Sequence, residues 1–495
     1  MKVLIDRIDN FNYSFVRSDK DAVRQIAKCL TFKNPDIYSR HRNIEKFDKR
    51  NLTFQIGMLD NVKNYFDKRN IKCSIFDYKF NLPNGIEIDS RLSGKYIHQR
   101  KAVEAFFKRR FGIICVPTRG GKTFIMSEIL RIFLSSDKGN FLFLVDNTTL
   151  FNQAISDVKK FFKNYGGISI GEIKAGKIDV TKRFTVGMIQ TIQSTLSMRC
   201  KDRKKRLNLQ KYLKDLKFLS VDEIHDNFSD SKLRLYRRCH NIDYLLLLSA
   251  TPYKSNTYLQ NLKLKSWSGG IIYTISEETL RKRGVLSDYK VIEFAIDHND
   301  INYPDFDPDC LDYSELRKRL IFCSDVRNNA LLEIIKILSE YKLKTLVLFQ
   351  SIEHGNIISS MTDIPFISGK DKEDKREKEK EIFLKKDGGV LLASNIFKKG
   401  ITLPEAQILI NVDEGLEDAN TVQRKGRVIA ATKTKDRSMI IDFIDIFDLY
   451  FSEHSETRLN TYIDAIGEDN VGILDISSDD CFKTFEVWIK KWFRL

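Results

Sequence analysis

Short, uninterrupted apolar runs recur along this chain, and most are followed by a stretch with helical spacing. The first set is Phe111–Val116, Phe141–Val145, Phe184–Met188, Phe218–Val221 and Tyr244–Leu248. The second is Thr345–Phe349, Pro365–Ile367, Val390–Ala393, Gln407–Val412 and Ser438–Phe443. Strands that are apolar at every position, rather than at alternate ones, are buried on both faces, as in a parallel sheet covered by helices. Amphipathic helices are predicted over 100–109, 122–133 and 147–162, so the class is α/β. Two such units are expected, 86–296 and 321–445, joined by a linker over 297–320 that begins rich in Asp, Asn and Pro. Residues 1–85 read as a separate small α+β unit. It has strand alternation from Leu4 to Phe15, a helix from Ser18 to Leu30 with Asp21 near its cap, a helix over 55–70 and a closing turn at Asn81–Gly85. Lys370–Lys380 alternates in charge sign, as a solvated helix laced with i,i+4 pairs does. The tail, 446–495, is amphipathic.

Composition narrows the class further. A chain of 495 residues with 42% hydrophobic content is too long for one core and rich enough for several. No apolar run approaches the ~20 residues of a membrane span, and Met1–Arg7 becomes charged too early for a secretory signal. The cysteines form no C-x-x-C pair and the histidines are dispersed, which predicts reduced thiols in a cytoplasmic compartment and no zinc site. Lys and Arg number 83 against 67 acidic residues, a net charge of +16. A surplus of this size favours polyanionic partners through counterion release. A Lys-rich composition by itself yields the same surplus, so charge does not choose among DNA, RNA and an anionic membrane surface. Near the N-terminus Arg40, His41, Arg42, Lys46, Lys49 and Arg50 are interleaved with Phe32, Tyr38, Phe47 and Phe54. Either the cations track phosphates while the rings stack on bases, or the rings are core and the cations a solvated face.

Candidate chemistry gathers where the apolar runs end. After Phe111–Val116 comes Pro117-Thr-Arg-Gly-Gly-Lys-Thr123, opening a helix. Strand, glycine loop, Lys-Thr and helix describe a phosphate cradle: converging N–H groups, the Lys122 ammonium on phosphate oxygens, and the Thr123 hydroxyl on Mg²⁺. The strict pattern asks for glycine where this chain has Val116. Asp222 and Glu223 end the next run but two, suited to hold Mg²⁺ through water and to polarise an attacking water as general base. His225, then Ser249 and Thr251 in Ser-Ala-Thr-Pro, supply small polar groups that can relay the state of the acids. Thr148, Thr149, Gln190 and Thr191 follow other strands, at the carboxyl edge where open α/β sheets bind ligands. The amide of Gln99 suits an adenine edge. The second unit has no phosphate loop. It offers Thr421-Val-Gln-Arg-Lys-Gly-Arg427, whose guanidinium groups could serve as arginine fingers.

In this order Tyr-x-His-Gln, Pro-Thr-x-x-Gly-Lys-Thr, Asp-Glu-Ile-His, Ser-Ala-Thr and Gln-Arg-x-Gly-Arg resemble the motifs of superfamily 2 helicases of the DExH type. The likeness, over about residues 90–445, is greatest to the branch that includes XPB, the type III restriction motor subunits and the bacteriophage UvsW recombination helicase. It implies two RecA-like parallel-sheet domains in tandem behind a small α+β N-terminal domain, with ATP and Mg²⁺ as cofactors. Tyr96, Gln99, Pro117, Thr118, Arg119, Gly120, Gly121, Lys122, Thr123 and Gly400 would bind the nucleotide. Lys122, Asp222, Glu223, Gln423, Arg424 and Arg427 would be catalytic, with Thr123 and Asp222 on the metal. Thr148, Thr149, Gln190, Thr191, Ser351, Ser394, Arg40 and Arg42 would contact nucleic acid, and His225, Ser249 and Thr251 would couple hydrolysis to movement. Expected partners are single-stranded and branched DNA, with RNA as the alternative, and no membrane. One departure from the pattern is Ala430, where the last motif usually has a second arginine.

Overall fold

The computed structural model describes residues 3–9, 11–15, 20–35, 43–76, 82–197, 202–253, 257–297, 313–394, 403, 405–412, 431, 435–446 and 449–495. The chain divides into two compact units, Met1–Pro117 with Gly121–Ser276, and Thr118–Gly120 with Glu277–Leu495. Among the described residues no helix is long and apolar enough to cross a membrane.

The first unit is built on an eight-stranded sheet. Its order is Lys177–Ile178, Ile170–Lys174, Phe184–Met188, Phe141–Val145, Phe218–Val221, Tyr244–Ser249, Phe111–Cys115, Ile271–Thr274. All neighbours are parallel except the first pair. The five predicted runs are its centre, and their side chains are buried at nearly every position. Stacked rings run across the sheet, Phe141 on Phe218 at 3.9 Å and Phe218 on Tyr244 at 5.2 Å. Helices Ile97–Arg109, Lys122–Ser136 and Thr148–Phe162 cover one face with Phe106, Ile129, Phe133 and Val158. Because the strands are parallel and in register, the residues that follow Cys115, Val145, Met188, Val221 and Ser249 all emerge on one edge.

The N-terminal region forms a second layer of this unit. A five-stranded mixed sheet, Phe47–Asp48, Thr53–Gln55, Asn12–Phe15, Val3–Arg7, Cys73–Phe76, packs with helices Lys20–Cys29 and Leu59–Asp67. Phe47 and Phe54 lie in its core, so the reading of these rings as bases' stacking partners does not hold. Lys49 pairs with Glu45 at 2.7 Å, and Tyr38 and Arg40–Arg42 fall outside the described residues. The layer is keyed to the larger sheet. Phe11 meets the Phe111 ring edge-on at 5.2 Å and stacks over Trp267 at 6.4 Å.

Among the described residues the second unit has seven parallel strands in the order Phe366–Ile367, Val390–Ser394, Thr345–Phe349, Ile408–Asn411, Arg437–Asp445, Asp288–Ile296, Val471–Asp475. Two sequence expectations are corrected by this pairing. The run ending at Ile296, expected to close the first unit, pairs along its whole length with Arg437–Asp445. The region after 446, expected to be a tail, supplies the edge strand Val471–Asp475 and helices Leu449–Ile466 and Cys481–Phe493, the latter packing on the sheet through Phe485 and Ile489. The mixed-charge segment is a helix, Glu373–Lys385, with pairs such as Lys385–Glu381 at 3.5 Å.

Candidate nucleotide site

On the strand-end edge of the first unit the chain turns sharply before helix Lys122–Ser136. Gly121 caps this helix with φ +94°, a left-handed conformation that glycine takes without steric cost. A side chain there would also have to displace the Gln99 amide, since a Cβ would come within 2.1 Å of its Nε2. The buried Gln99 thus seats against the loop, while Tyr96, one turn earlier, is exposed. Gly121 has no side chain to cap the helix, so among the described residues its leading N–H groups and the positive end of its dipole are left at the strand ends. Thr123 stands in the first turn, and Arg119 just ahead has φ +69°.

Strand Phe218–Val221 delivers two carboxylates to the same edge. Lys122 Nζ donates to Glu223 Oε1 at 2.8 Å, and both side chains are largely buried. Glu223 has φ +43°, uncommon for a non-glycine residue. Its N–H donates to Asp222 Oδ1 at 3.0 Å, and its Oε2 has no hydrogen-bond partner among the described residues. Burial raises the Asp222 carboxyl, the negative Glu223 beside it raises it further, and despite the opposing pull of Lys122 it is pushed up to about 7. Burial alone would lower Lys122; Glu223 and then Asp222 outweigh it, and the ammonium is held above its ordinary range.

The neighbouring strand Tyr244–Ser249 brings in the third element. His225 Nδ1 lies 2.8 Å from Ser249 Oγ and 3.4 Å from Glu223 Oε2, while Thr251 N–H donates to the same serine oxygen at 3.1 Å. A continuous polar path therefore joins Lys122, Glu223, His225, Ser249 and Thr251. Its support is absent from the sequence motifs. Asn227 Nδ2 donates to the Asp222 carbonyl at 2.8 Å, Lys232 donates to Asn227 Oδ1 at 2.7 Å, and Tyr236 OH donates to the Asn227 carbonyl at 2.6 Å.

Farther along the edge, Gln190 and Thr191 line a cavity of 540 Å³ with Met188, Ser194, Asp202 and Lys205. Thr148 Oγ1 approaches Met188 Sδ at 3.9 Å, which puts the first turn of helix Thr148–Phe162, Thr149 included, beside that cavity. In the second unit Ser394 ends the strand paired with Thr345–Phe349, and Ser351 caps the helix that follows this strand, accepting from Glu353 N–H at 3.1 Å. Gly400, Gln423, Arg424, Arg427, Arg40 and Arg42 lie outside the described residues, as does Ala430.

Two families match the chain along this architecture. The family described as type III restriction enzyme, res subunit, matches residues 92–254, and the helicase conserved C-terminal domain matches 326–431. The chain belongs to the superfamily 2 helicases. A protein of Sulfolobus islandicus filamentous virus (isolate Iceland/Hveragerdi), whose name assigns it as helicase 22, is 23% identical over 363 residues, 69% of this chain; the match spans only 62% of the viral protein. Among solved structures, Dbp5 of S. cerevisiae bound to RNA and ADP BeF3 superposes with a TM-score of 0.54 at 14% identity, over 80% of this helicase chain and 92% of Dbp5. UvsW of bacteriophage T4 aligns over 96% of this chain and 100% of its own at 17% identity, with a TM-score of 0.41.

Proposed function

We propose that this superfamily 2 chain is a DExH-type, ATP-driven DNA helicase or translocase that remodels branched DNA (forks, junctions or R-loops) in viral replication, recombination or repair. The observation that carries the reading is the Lys122–Glu223 ion pair beside an uncapped, glycine-turned helix N-terminus. In this role Lys122 exchanges Glu223 for phosphate oxygens, which frees the carboxylate to orient and deprotonate water. The donor set fits a magnesium nucleotide: the Thr123 hydroxyl, the Asp222 carboxylate, and a Glu223 Oε2 that accepts no hydrogen bond among the described residues. Magnesium, when bound, supplies positive charge between the phosphates and favours the ionised form of Asp222. His225 and Ser249 report the state of Glu223 to Thr251. Thr148, Thr149, Gln190 and Thr191 on one unit, and Ser351 and Ser394 on the other, touch the strand, while Gln423, Arg424 and Arg427 complete the nucleotide site. The viral relative and the basic surplus of +16 support the viral, nucleic-acid setting.

A second reading keeps the motor and changes its task. The match to a restriction-enzyme motor family and the superposition on an RNA-bound helicase favour a restriction or defence motor, or an RNA substrate. A third, a binding protein with decayed hydrolysis, is motivated by Val116 and Ala430 and opposed by the intact Lys122–Glu223 geometry. Steady-state ATPase over forked DNA, linear duplex, single strand and RNA separates the three. Strongest stimulation by a branched DNA is expected. Strongest stimulation by RNA or plain duplex would replace the first reading with the second, and no Glu223-dependent hydrolysis on any ligand would leave the third.

A further inference from the structure

The second unit holds a cavity at the end of its sheet opposite Ser351 and Ser394. It lies at the amino-terminal half of strands Asp288–Ile296 and Arg437–Asp445 and at the start of Val471–Asp475, under the last turns of helix Cys481–Phe493, with a volume of 480 Å³. Register puts its floor on one face of the sheet: Lys290 pairs with Met439, and Ile292 with Gly472. Trp488 and Trp492 form the walls. Gly472 is what admits the first of them, because a Cβ there would sit 2.4 Å from the Trp488 ring. Trp492 is pinned: its Nε1–H donates to the Ser438 carbonyl at 2.8 Å, and its own carbonyl accepts from Arg437.

The charges around this space are unbalanced. Lys290, Arg437 and Lys491 face a single carboxylate, Asp469. Lys290 and Arg437 stand 5.3 and 5.1 Å from the Trp492 ring centroid, and among the described residues none of these three cations forms an ion pair. Elsewhere in the unit lysines are commonly matched to a nearby acid, as Lys318 is to Glu353 and Lys344 to Glu405. A cavity walled by two indoles, with Ile292, Met439 and Gly472 in its floor and cations around it, recognises a flat ring that carries an anion. Its volume is that of a small-molecule site, about 300–1,000 Å³. Stacking on indole and charge-assisted bonds to phosphate are the two interactions such a slot offers.

We propose that this cavity binds a nucleoside phosphate, its base against Trp488 and Trp492 and its phosphate on Lys290 and Lys491. The ligand comes either as a free mononucleotide or as one unpaired nucleotide of a strand. The chemistry does not depend on hydrolysis in the first unit.

Two of the chain's three tryptophans line the cavity and the third, Trp267, is buried in the first unit, so the part of the emission change that a cavity variant loses reads this site. Full-length protein is titrated with thymidine 5′-monophosphate, with an oligothymidylate strand and with inorganic phosphate. The same titrations are run on a K290E/K491E double variant, which alters two cations outside the nucleotide site. Saturable quenching by the mononucleotide or the strand is expected, with affinity in the double variant weaker by about tenfold for each charge-assisted bond removed and basal ATPase unchanged. Quenching by both ligands means that free nucleotides enter; quenching by the strand alone means that the slot holds a nucleotide in a chain. Absence of quenching, equal affinity in the double variant, or quenching reproduced by inorganic phosphate would overturn the assignment, whatever the ATPase assays show.

Discussion

At the scale of single residues, Lys122 and Glu223 illustrate how a buried pair ties stability to function. A lone carboxylate left in that position costs more than the pair ever contributed, because desolvation is then uncompensated. Lys122→Ala is expected to lower ATPase turnover by about 10²–10³-fold, the usual loss when one charge-stabilising group is removed. It should also lower Tm. Adding Glu223→Gln should recover part of that Tm with no recovery of turnover, which calorimetry and ATPase assays on the three variants check; a double variant less stable than Lys122→Ala would refute the uncompensated-charge argument. Much of this is legible in the sequence. Lys122, Asp222, Glu223, Ser249 and Thr251 sit where apolar runs stop, and a polar residue at such a point is conspicuous. Asn227, Lys232 and Tyr236 are not, because a side chain that supports a backbone carbonyl can be of almost any polar type at any spacing. Nor does any pattern announce the φ of +43° that turns Glu223 toward Lys122.

At the scale of elements, the same logic separates the strands that can be read from those that cannot. Central strands such as Phe141–Val145 are buried at each position and appear as runs. Edge strands Ile271–Thr274 and Val471–Asp475 are half-exposed, and their apolar runs are too short and too interrupted by glycine and polar neighbours to be told from loop or helix. The run ending at Ile296 is visible, but an apolar strand carries no mark of which sheet it will join. One polar cluster decides how the segment before the Gln99 helix is held. Asp89 accepts from Arg91 Nε at 2.8 Å and from Tyr165 OH at 2.6 Å, its own N–H donates to Glu128 of helix Lys122–Ser136 at 2.8 Å, and Arg131 closes the ring on Glu128 at 2.8 Å. Burial would raise the Asp89 carboxyl, but the bonds from Arg91 and Tyr165 outweigh it and hold it at about 2, below the ordinary 3.8. A depressed folded-state value stabilises the fold above the unfolded-state value, and that stability is lost as pH falls from about 3.8 through about 2. Asp89→Asn should therefore be less stable than wild type at neutral pH, with the difference narrowing across that acid window. Urea midpoints measured against pH test it, and a difference constant with pH would show that Asp89 is not the titrating group.

At the scale of the whole molecule, the placement of the N-terminal layer is the main point on which sequence and structure part. The sequence suggests a separate nucleic-acid-binding domain; the structure has a layer fixed to the first sheet by close backbone approach. The tightest approach is at Gly57, where a Cβ would stand 1.7 Å from the Lys265 carbonyl oxygen. Asn61 Oδ1 accepts from Lys265 Nζ at 2.9 Å one turn later, and the Ile56 N–H donates to the Phe11 carbonyl at 2.7 Å, which holds Phe11 between Phe111 and Trp267. A methyl group at 57 cannot be accommodated by a side-chain rotation, since the obstacle is backbone, so the two layers must move apart. Overpacking of this kind costs about 1–3 kcal/mol. Each layer has its own buried cluster, Val3, Ile5, Phe54 and Phe66 in one and Phe141, Leu142 and Phe218 in the other, so separation need not unfold either. Gly57→Ala should convert a joint unfolding of the N-terminal layer and the first sheet into two transitions, the earlier one exposing the segment near residues 82–85 to protease. Retention of a single transition at the wild-type temperature would mean that the layers are coupled elsewhere. The variant also bears on the proposed mechanism: a layer rigidly fixed to the first sheet moves with it, whereas a released layer does not. On the proposed motor reading, strand binding by the first sheet's edge in Gly57→Ala should survive while ATP-driven unwinding falls more steeply than ATPase.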